Sequence, residues 1–131
     1  MIAIDTNVLV RYLVDDDPIQ SAQAVRFMEN ELTAEEPGFV SVVVIVEVAW
    51  VLRRAYHASA ETVADIIRRL LDSRQVQVQD SDVVERAVRL ALEDFADALI
   101  HELGRAAACG RTVTFDRRFA KTPGVDLLSE R

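Results

Sequence analysis

The chain has 131 residues, half of them hydrophobic, and it carries a formal net charge of −7 and a single cysteine. This length and apolar content suit one ordinary domain with its own core, and we predict a single domain over residues 1–131. The acidic charge argues against nonspecific nucleic-acid binding over the whole surface, the lone cysteine excludes an internal disulfide, and no apolar stretch is long enough to span a membrane.

The first half of the chain alternates between strand and helix patterns. Residues that can cap a helix precede three helical patterns: Asp17 (followed by Pro18), Ser41 and Ser59. The helix after Ser41 is predicted over residues 42–56, because this run is longer than an ordinary strand despite its many valines. Strand patterns occur at MIAID, at Phe39–Val40 and at QVQVQ over residues 75–79.

The second half continues the same alternation. Ser81 is predicted to cap a further helix, and another helix is predicted to cover Phe95–Cys109 and end at Gly110. TVTF over residues 112–115 is the last strand pattern, and it is followed by a short turn or helix, Pro123-Gly124 and a terminal apolar run, VDLL. This order predicts an α/β fold with a mostly parallel central sheet flanked by helices.

Glu47 is the only charged residue in the run VVVIVEVAWVL over residues 42–52. In a helix its neighbours one turn away include Val43 and Trp50, so its carboxylate is predicted to project from a buried apolar face. A carboxylate in such a place needs a partner, which is either a cation or a side chain from elsewhere. The structural alternative is a buried ion pair with Arg11.

Further acids lie where chain direction brings functional groups together in parallel folds. Asp5 and Asp116 each follow a predicted strand, and Asp97 begins a helical pattern with Asp94 three residues earlier. Ligand sites form at the carboxyl edge of such sheets. Clustered carboxylates repel one another unless a multivalent cation holds them, and a set without Cys or His favours Mg²⁺ or Mn²⁺. That metal in turn suggests phosphate chemistry.

Each of these acids also has a simpler structural explanation. Asp5 can begin an Asx-turn after its strand, and Asp116 can cap the segment that follows it. Asp94 or Asp97 can complement the dipole of a helix as a first-turn acid. Taken together, however, the acids are better explained by one metal site.

Four segments in order resemble the PIN-domain nucleases, and most closely the VapC-type toxins of bacterial and archaeal toxin–antitoxin pairs. They are Asp5-Thr6-Asn7, Glu47 in its apolar helix, DFADAL over residues 94–99 and TVTFD over residues 112–116. The resemblance covers essentially the whole chain. It implies a Mg²⁺- or Mn²⁺-dependent endoribonuclease that hydrolyses RNA phosphodiesters, forms a homodimer, and is silenced by a cognate VapB-like antitoxin. We expect such a protein to be cytoplasmic, since no secretory signal precedes the first strand.

The resemblance also assigns roles to individual residues. The four acidic metal positions of the family match Asp5, Glu47, Asp97 and Asp116, with Asp5 and Asp97 as the first-choice direct ligands. Asp94 is an extra acid that could share the role of Asp97. Supporting positions match Asn7 and Thr114, which hold the acids or water in place, and Arg11, a basic residue near the pocket.

Two other functions compete with this interpretation. An aspartyl-phosphate phosphatase would use Asp5 as its nucleophile, but such enzymes normally carry Asp-x-Asp there, and residue 7 is Asn. A PIN-like module that binds RNA or protein without turnover has the same sequence features as the nuclease. Only a cleavage assay separates that module from an enzyme.

The remaining chemistry-bearing residues are interpreted structurally. Trp50 and the five phenylalanines are predicted to be core, Cys109 a buried small hydrophobe, and His57 and His101 surface or helix-end residues. Several basic residues follow closely on the acids and either are solvated or line the path of a polyanion: Arg11, Arg53, Arg54, Arg117, Arg118 and Lys121.

Overall fold

Short parallel strands alternate with helices in the computed structural model, which describes residues 1–128. The chain divides into two compact units, an N-terminal unit over Met1–Ser81 and a C-terminal unit that begins at Asp82. The predicted α/β class is confirmed, with six α-helices and parallel strand pairing within residues 1–128. The single domain over 1–131 stays a prediction, and residues 129–131 lie outside the described residues.

The N-terminal unit contains a parallel sheet whose described strands follow the order β1-β2-β3. Its elements in chain order are β1 (Ile2–Ala3), α1 (Thr6–Leu13), α2 (Pro18–Arg26), a π-helical turn (Phe27–Glu31), β2 (Gly38–Val40), α3 (Val42–Ala55), α4 (Ala60–Asp72) and β3 (Val76–Val78). Ile2 is in register with Gly38, and Gly38 with Val76. The strands therefore leave the sheet at one edge, where β1 leads into α1 and β2 into α3.

Side-chain caps begin α2, α3 and α4 as the sequence predicts. The carboxylate of Asp17 accepts from the backbone N–H of Gln20 at 3.1 Å, with Pro18 at the first helical position. Ser41 and Ser59 cap α3 and α4 through their hydroxyl oxygens. Each such cap contributes about 1 kcal/mol to helix stability.

A tight approach of backbone to side chains fixes the start of β2. A Cβ placed on Gly38 would lie 2.9 Å from Leu32 Cδ1 and 3.0 Å from Ile4 Cγ1. Glycine therefore lets β2 lie beside β1 while Leu32 and Ile4 remain in the core, at 1% and 4% exposure.

The C-terminal unit contains the last helices and strands of the described residues. In chain order these elements are α5 (Ser81–Arg89), α6 (Phe95–Ala106), β4 (Thr112–Thr114), a 3₁₀ turn (Phe119–Lys121) and β5 (Val125–Leu127). β4 and β5 pair in parallel, with Thr112 opposite Val125. α5 and α6 are joined by Glu102, a side chain 1% exposed, which forms ion pairs with Arg86 and Arg105 at 3.3 Å each.

Several local predictions were wrong. Helix α6 ends at Ala106 rather than near Gly110, because Ala108 takes the left-handed conformation (φ +66°) that closes the helix. Cys109 is exposed rather than buried, because it follows that helix end. His101 is buried at 4% exposure, where its Nδ1 shares a hydrogen bond of 2.8 Å with the hydroxyl of Thr112.

Candidate functional site

Asp5 occupies the point where the first strand becomes the first helix. The backbone N–H of Ile4 still bonds to Phe39 in the sheet, and α1 begins at the next residue but one, Thr6. The Asp5 backbone is at the N-cap position, yet its side chain makes no capping hydrogen bond. The Asx-turn explanation therefore has no support at Asp5, and its exposed carboxylate is available to a ligand.

Thr6 links this strand end to helix α3. Its hydroxyl donates to Oε1 of Glu47 at 2.8 Å, although the two residues are 41 positions apart in the chain. Thr6 is itself buried, at 8% exposure, so its hydroxyl has few alternative partners. This hydrogen bond orients the Glu47 carboxylate and leaves its second oxygen outside the contact.

The environment of Glu47 differs from the one that the sequence predicts. The residue is exposed, and its apolar neighbours on the same helix face are also exposed, Val43 at 66% and Trp50 at 61%. The apolar face was wrongly predicted as buried because α3 carries apolar residues on all sides. Its opposite side forms the core, where Ile45 is 0% and Val48 1% exposed.

Arg11 binds partners other than Glu47. Its guanidinium donates to Asp16 at 2.9 Å and to Gln20 at 2.8 Å. The hydroxyl of Tyr56 also donates to Asp16, and this hydrogen bond, with the positive charge of Arg11, holds the pKa of Asp16 below its usual range. The predicted structural alternative, an ion pair between Arg11 and Glu47, is therefore wrong.

Asn7 and Arg11 line a groove of the N-terminal unit with a volume of about 400 Å³. The other lining residues come mainly from α1 and α2: Ala3, Ile4, Val8, Gln20, Gln23, Ala24 and Phe27. Asn7 is exposed at the start of this groove, two residues after Asp5. Its role in holding an acid or water remains a prediction.

The acids of the C-terminal unit interact electrostatically with one another. Burial raises the pKa of Asp97, and the negative charges of Asp94 and Asp116 raise it further. Binding of a proton or a cation lowers the free energy of a carboxyl in such surroundings. Within this unit, Asp97 is thus the acid whose surroundings most favour an added positive charge.

Asp94 and Asp116 have structural as well as electrostatic roles. One oxygen of Asp94 caps α6 by accepting from the backbone N–H of Ala96 at 2.9 Å. One oxygen of Asp116 accepts from the backbone N–H groups of Arg118 and Phe119, at 2.8 and 3.2 Å. In both cases the bonds use Oδ1, so these caps fix the carboxylate while its other oxygen takes no part in them.

Thr114 positions the acid that follows it. At the end of β4 its hydroxyl oxygen accepts from the backbone N–H of Asp116 at 3.0 Å. The turn after the strand is thereby closed, and the acid is set on an exposed bend. The supporting role of Thr114 in the site stays a prediction.

The donor set of these acids suits a hard divalent ion. The acids offer carboxylate oxygens and the neighbouring threonines offer hydroxyl oxygens. Mg²⁺ and Mn²⁺ prefer such oxygen ligands. The chemistry of the donors therefore fits the metal. Among residues 1–128, however, no group of three or more Asp, Glu, His or Cys side chains is already arranged to hold a metal ion.

A comparison with protein-family models decides the family. The PIN domain model matches residues 2–125, nearly the whole chain. The chain belongs to the PIN domain family. The comparison with curated proteins found no match to this PIN domain.

Membership in this family indicates the general type of activity. PIN domains are typically metal-dependent nucleases, so a nuclease-type hydrolase acting on nucleic acid is supported for this chain. No helix among the described residues of this PIN domain is long and apolar enough to cross a membrane.

Thr6 is the site residue that the sequence predictions missed. The motif Asp5-Thr6-Asn7 was noted for its acid and its amide, and the hydroxyl between them was given no role. A threonine directly after an acid at a strand end was the available signal. Its partner, 41 residues away, required the fold.

Proposed function

We propose that this PIN domain is a Mg²⁺- or Mn²⁺-dependent endoribonuclease and the toxin of a type II toxin–antitoxin pair. Family membership supports a nuclease, and the order of the acidic motifs supports the narrower assignment. The observation that carries the proposal is the match of the PIN domain model to residues 2–125. The raised pKa of Asp97, caused by burial and by the neighbouring charges of Asp94 and Asp116, agrees with it. Such a carboxyl is stabilised by a bound cation, as the chemistry requires.

In this proposal Asp5 and Asp97 are direct metal ligands, with Glu47 and Asp116 as further ligands or as acids that orient water. These residues would hold a divalent ion, which would supply an activated water and would offset negative charge on the scissile phosphate. Thr6 holds the carboxylate of Glu47 in one orientation, and the turn after β4 does the same for Asp116. Hydrolysis needs no covalent intermediate with the protein.

The proposal extends to partners. The acidic chain suits a basic antitoxin segment, whose cationic side chain would compete with the metal for the carboxylates. We propose a homodimer that acts on cytoplasmic RNA and is released when the antitoxin is removed.

Cleavage of RNA by the purified full chain tests the enzymatic part. Cellular RNA is incubated with Mg²⁺ or Mn²⁺, or with EDTA, using the wild type, Asp5→Asn and Asp97→Asn. We expect metal-dependent cleavage that falls by about 100-fold in both variants, since each removes a charged ligand. Asp72→Asn, at the exposed end of α4, is the matched control and should retain wild-type cleavage.

Intact RNA in all samples, combined with retained RNA binding, would replace the enzyme with a binding module. Induced expression tests the toxin role separately. Growth arrest should occur with the wild type and be relieved by Asp5→Asn. Arrest that persists in that variant would show that cleavage is not its cause.

A further inference from the structure

A groove beside the C-terminal end of α3 is lined by none of the acids described above. It belongs to the N-terminal unit and has a volume of about 440 Å³, within the range of pockets that hold small ligands. Its lining residues are Trp50, Arg53, Arg54, His57 and Ala58. The groove thus combines one indole ring with two guanidinium groups.

Trp50 is unusually exposed for its size. The side chain is 61% exposed, although tryptophan normally buries most of its ring. The guanidinium carbon of Arg54 lies 5.6 Å from the centroid of the indole, a cation–π distance. The indole ring therefore lies beside a positive charge, with much of its area in contact with solvent.

The charge of the groove is opposite to that of the chain. Two arginines follow Trp50 closely, whereas the whole chain carries a net charge of −7. Proteins hold unpaired nucleotides by stacking the base on an aromatic ring or an arginine plane and by placing positive charge near the backbone. The groove has both elements in adjacent turns of one helix.

The position of the groove relates it to catalysis. Trp50 follows Glu47 by three residues in α3, so their Cβ atoms are neighbours at about 5–6 Å on the helix surface. A nucleotide stacked on Trp50 would lie about one helical turn from the Glu47 carboxylate. This spacing suits a nucleotide close to the scissile phosphate.

We propose that Trp50 and Arg54 form a base-stacking subsite for an unpaired nucleotide of the RNA substrate. The inference rests on the proposed function and deepens it by assigning a substrate class, since a base must be unpaired to stack on the indole. RNA with a single-stranded or looped segment next to the cleavage site binds here, and continuous duplex does not.

Trp50 is the only tryptophan of the chain, so its fluorescence reports this groove alone. A 2′-O-methyl single-stranded oligonucleotide is titrated into the full chain in Mg²⁺, and its length is checked afterwards. Binding is followed in parallel by anisotropy of a labelled strand. We expect saturable quenching of Trp50 with the same Kd as the anisotropy, and much weaker binding of a duplex of equal length.

Variants test the two side chains. Trp50→Ala should weaken binding about tenfold, the order expected for one lost stacking contact, while Trp50→Phe should lose much less. Arg54→Ala should weaken binding and reduce the slope of log K against log salt by about 0.7, the value for one phosphate contact on a single strand. Val43→Ala, on the same exposed helix face, should bind as the wild type does.

Unchanged affinity of Trp50→Ala, or anisotropy that saturates without quenching, would overturn the subsite. A variant that changes only the oligomeric state, with RNA affinity unaltered, would assign this face to a second copy of the chain and overturn it also. If the protein cleaves RNA but RNA binding does not quench Trp50 fluorescence, the subsite is wrong and the proposed nuclease stands. If RNA binding quenches Trp50 but no divalent ion supports cleavage, the subsite stands and the proposed enzyme is wrong.

Discussion

At the residue scale, the contact between Thr6 and Glu47 connects sequence to chemistry. The sequence gives Glu47 a charge without a partner, and the fold supplies one in a hydroxyl 41 residues away. This partner is a neutral donor, so the contact brings no positive charge to the carboxylate. Periodicity placed Glu47 on a helix face correctly, but it did not reveal which face was buried, because both faces of α3 are apolar.

Removing the hydroxyl of Thr6 tests its positioning role. We expect Thr6→Val to fold normally, since valine has nearly the same shape, and to lower metal-dependent RNA cleavage by about tenfold. The loss should appear in kcat more than in KM, because the carboxylate is misoriented while RNA contacts remain. Thr6→Ser restores the donor and should restore activity. Equal loss in both variants would indicate a packing effect instead.

Asp97 gives a pH-dependent prediction for the metal-free protein. Its pKa is raised in the folded state, chiefly by burial and then by Asp94 and Asp116, so the folded state favours the protonated form. Its favourable contribution to stability is therefore present at low pH and is lost as pH rises through the raised pKa. Above that pH the charged Asp97 destabilises the fold.

Thermal unfolding in EDTA measures this effect. We expect Asp97→Asn to have a higher Tm than the wild type at pH 7, and the difference to disappear under acidic conditions. Added Mn²⁺ should raise the Tm of the wild type and leave that of Asp97→Asn nearly unchanged. Asp72→Asn controls for loss of surface charge. A lower Tm for Asp97→Asn in EDTA would contradict the assigned cause.

At the element scale, caps were predictable and helix ends were less so. Asp17, Ser41 and Ser59 were identified from residue type alone and cap their helices through their side chains. The short helix α1 was missed, because only Ile4 and Asp5 separate it from β1 and Asp5 was interpreted as a metal ligand rather than as the start of a helix. The end of α6 was placed too late, because the signal used was Gly110.

The end of α6 adopts a helix-closing motif without its usual glycine. The N–H of Cys109 bonds to the carbonyl of Gly104 at 2.9 Å, and the N–H of Ala108 to that of Arg105 at 2.9 Å. These two bonds define a Schellman motif, in which the residue with positive φ is normally glycine. Here that residue is Ala108, with a φ of +66°.

Replacing this alanine should stabilise the protein. Ala108→Gly relieves the left-handed strain, which outweighs the added freedom of the unfolded chain, and we expect a gain of about 0.5–1 kcal/mol in the free energy of unfolding. Ala107→Gly is the matched control, since its φ of −84° suits alanine, and it should destabilise. Denaturant unfolding of both variants gives the comparison. A loss of stability in Ala108→Gly would show that Ala108 is not strained.

At the scale of the whole molecule, the sequence predicted the class of fold and the PIN family. Alternating strands and helices gave the parallel α/β arrangement, and the PIN family assignment agrees with the motifs over residues 2–125. Side-chain exposure was harder to predict: Trp50 and Phe115 were assigned to the core, yet they are 61% and 79% exposed. Apolar residue type alone does not distinguish a core position from a binding surface.

The central claim is that acids from different parts of the chain bind one divalent ion. Titration of Mn²⁺ into the full chain, followed by the electron paramagnetic resonance of free Mn²⁺, measures this without any RNA. The wild type, Asp5→Asn, Asp97→Asn and the double variant form a cycle. We predict that each single variant loses at least about tenfold in affinity, and that the two losses are not additive because both acids serve one ion. Wild-type Mn²⁺ affinity in both single variants would contradict the account.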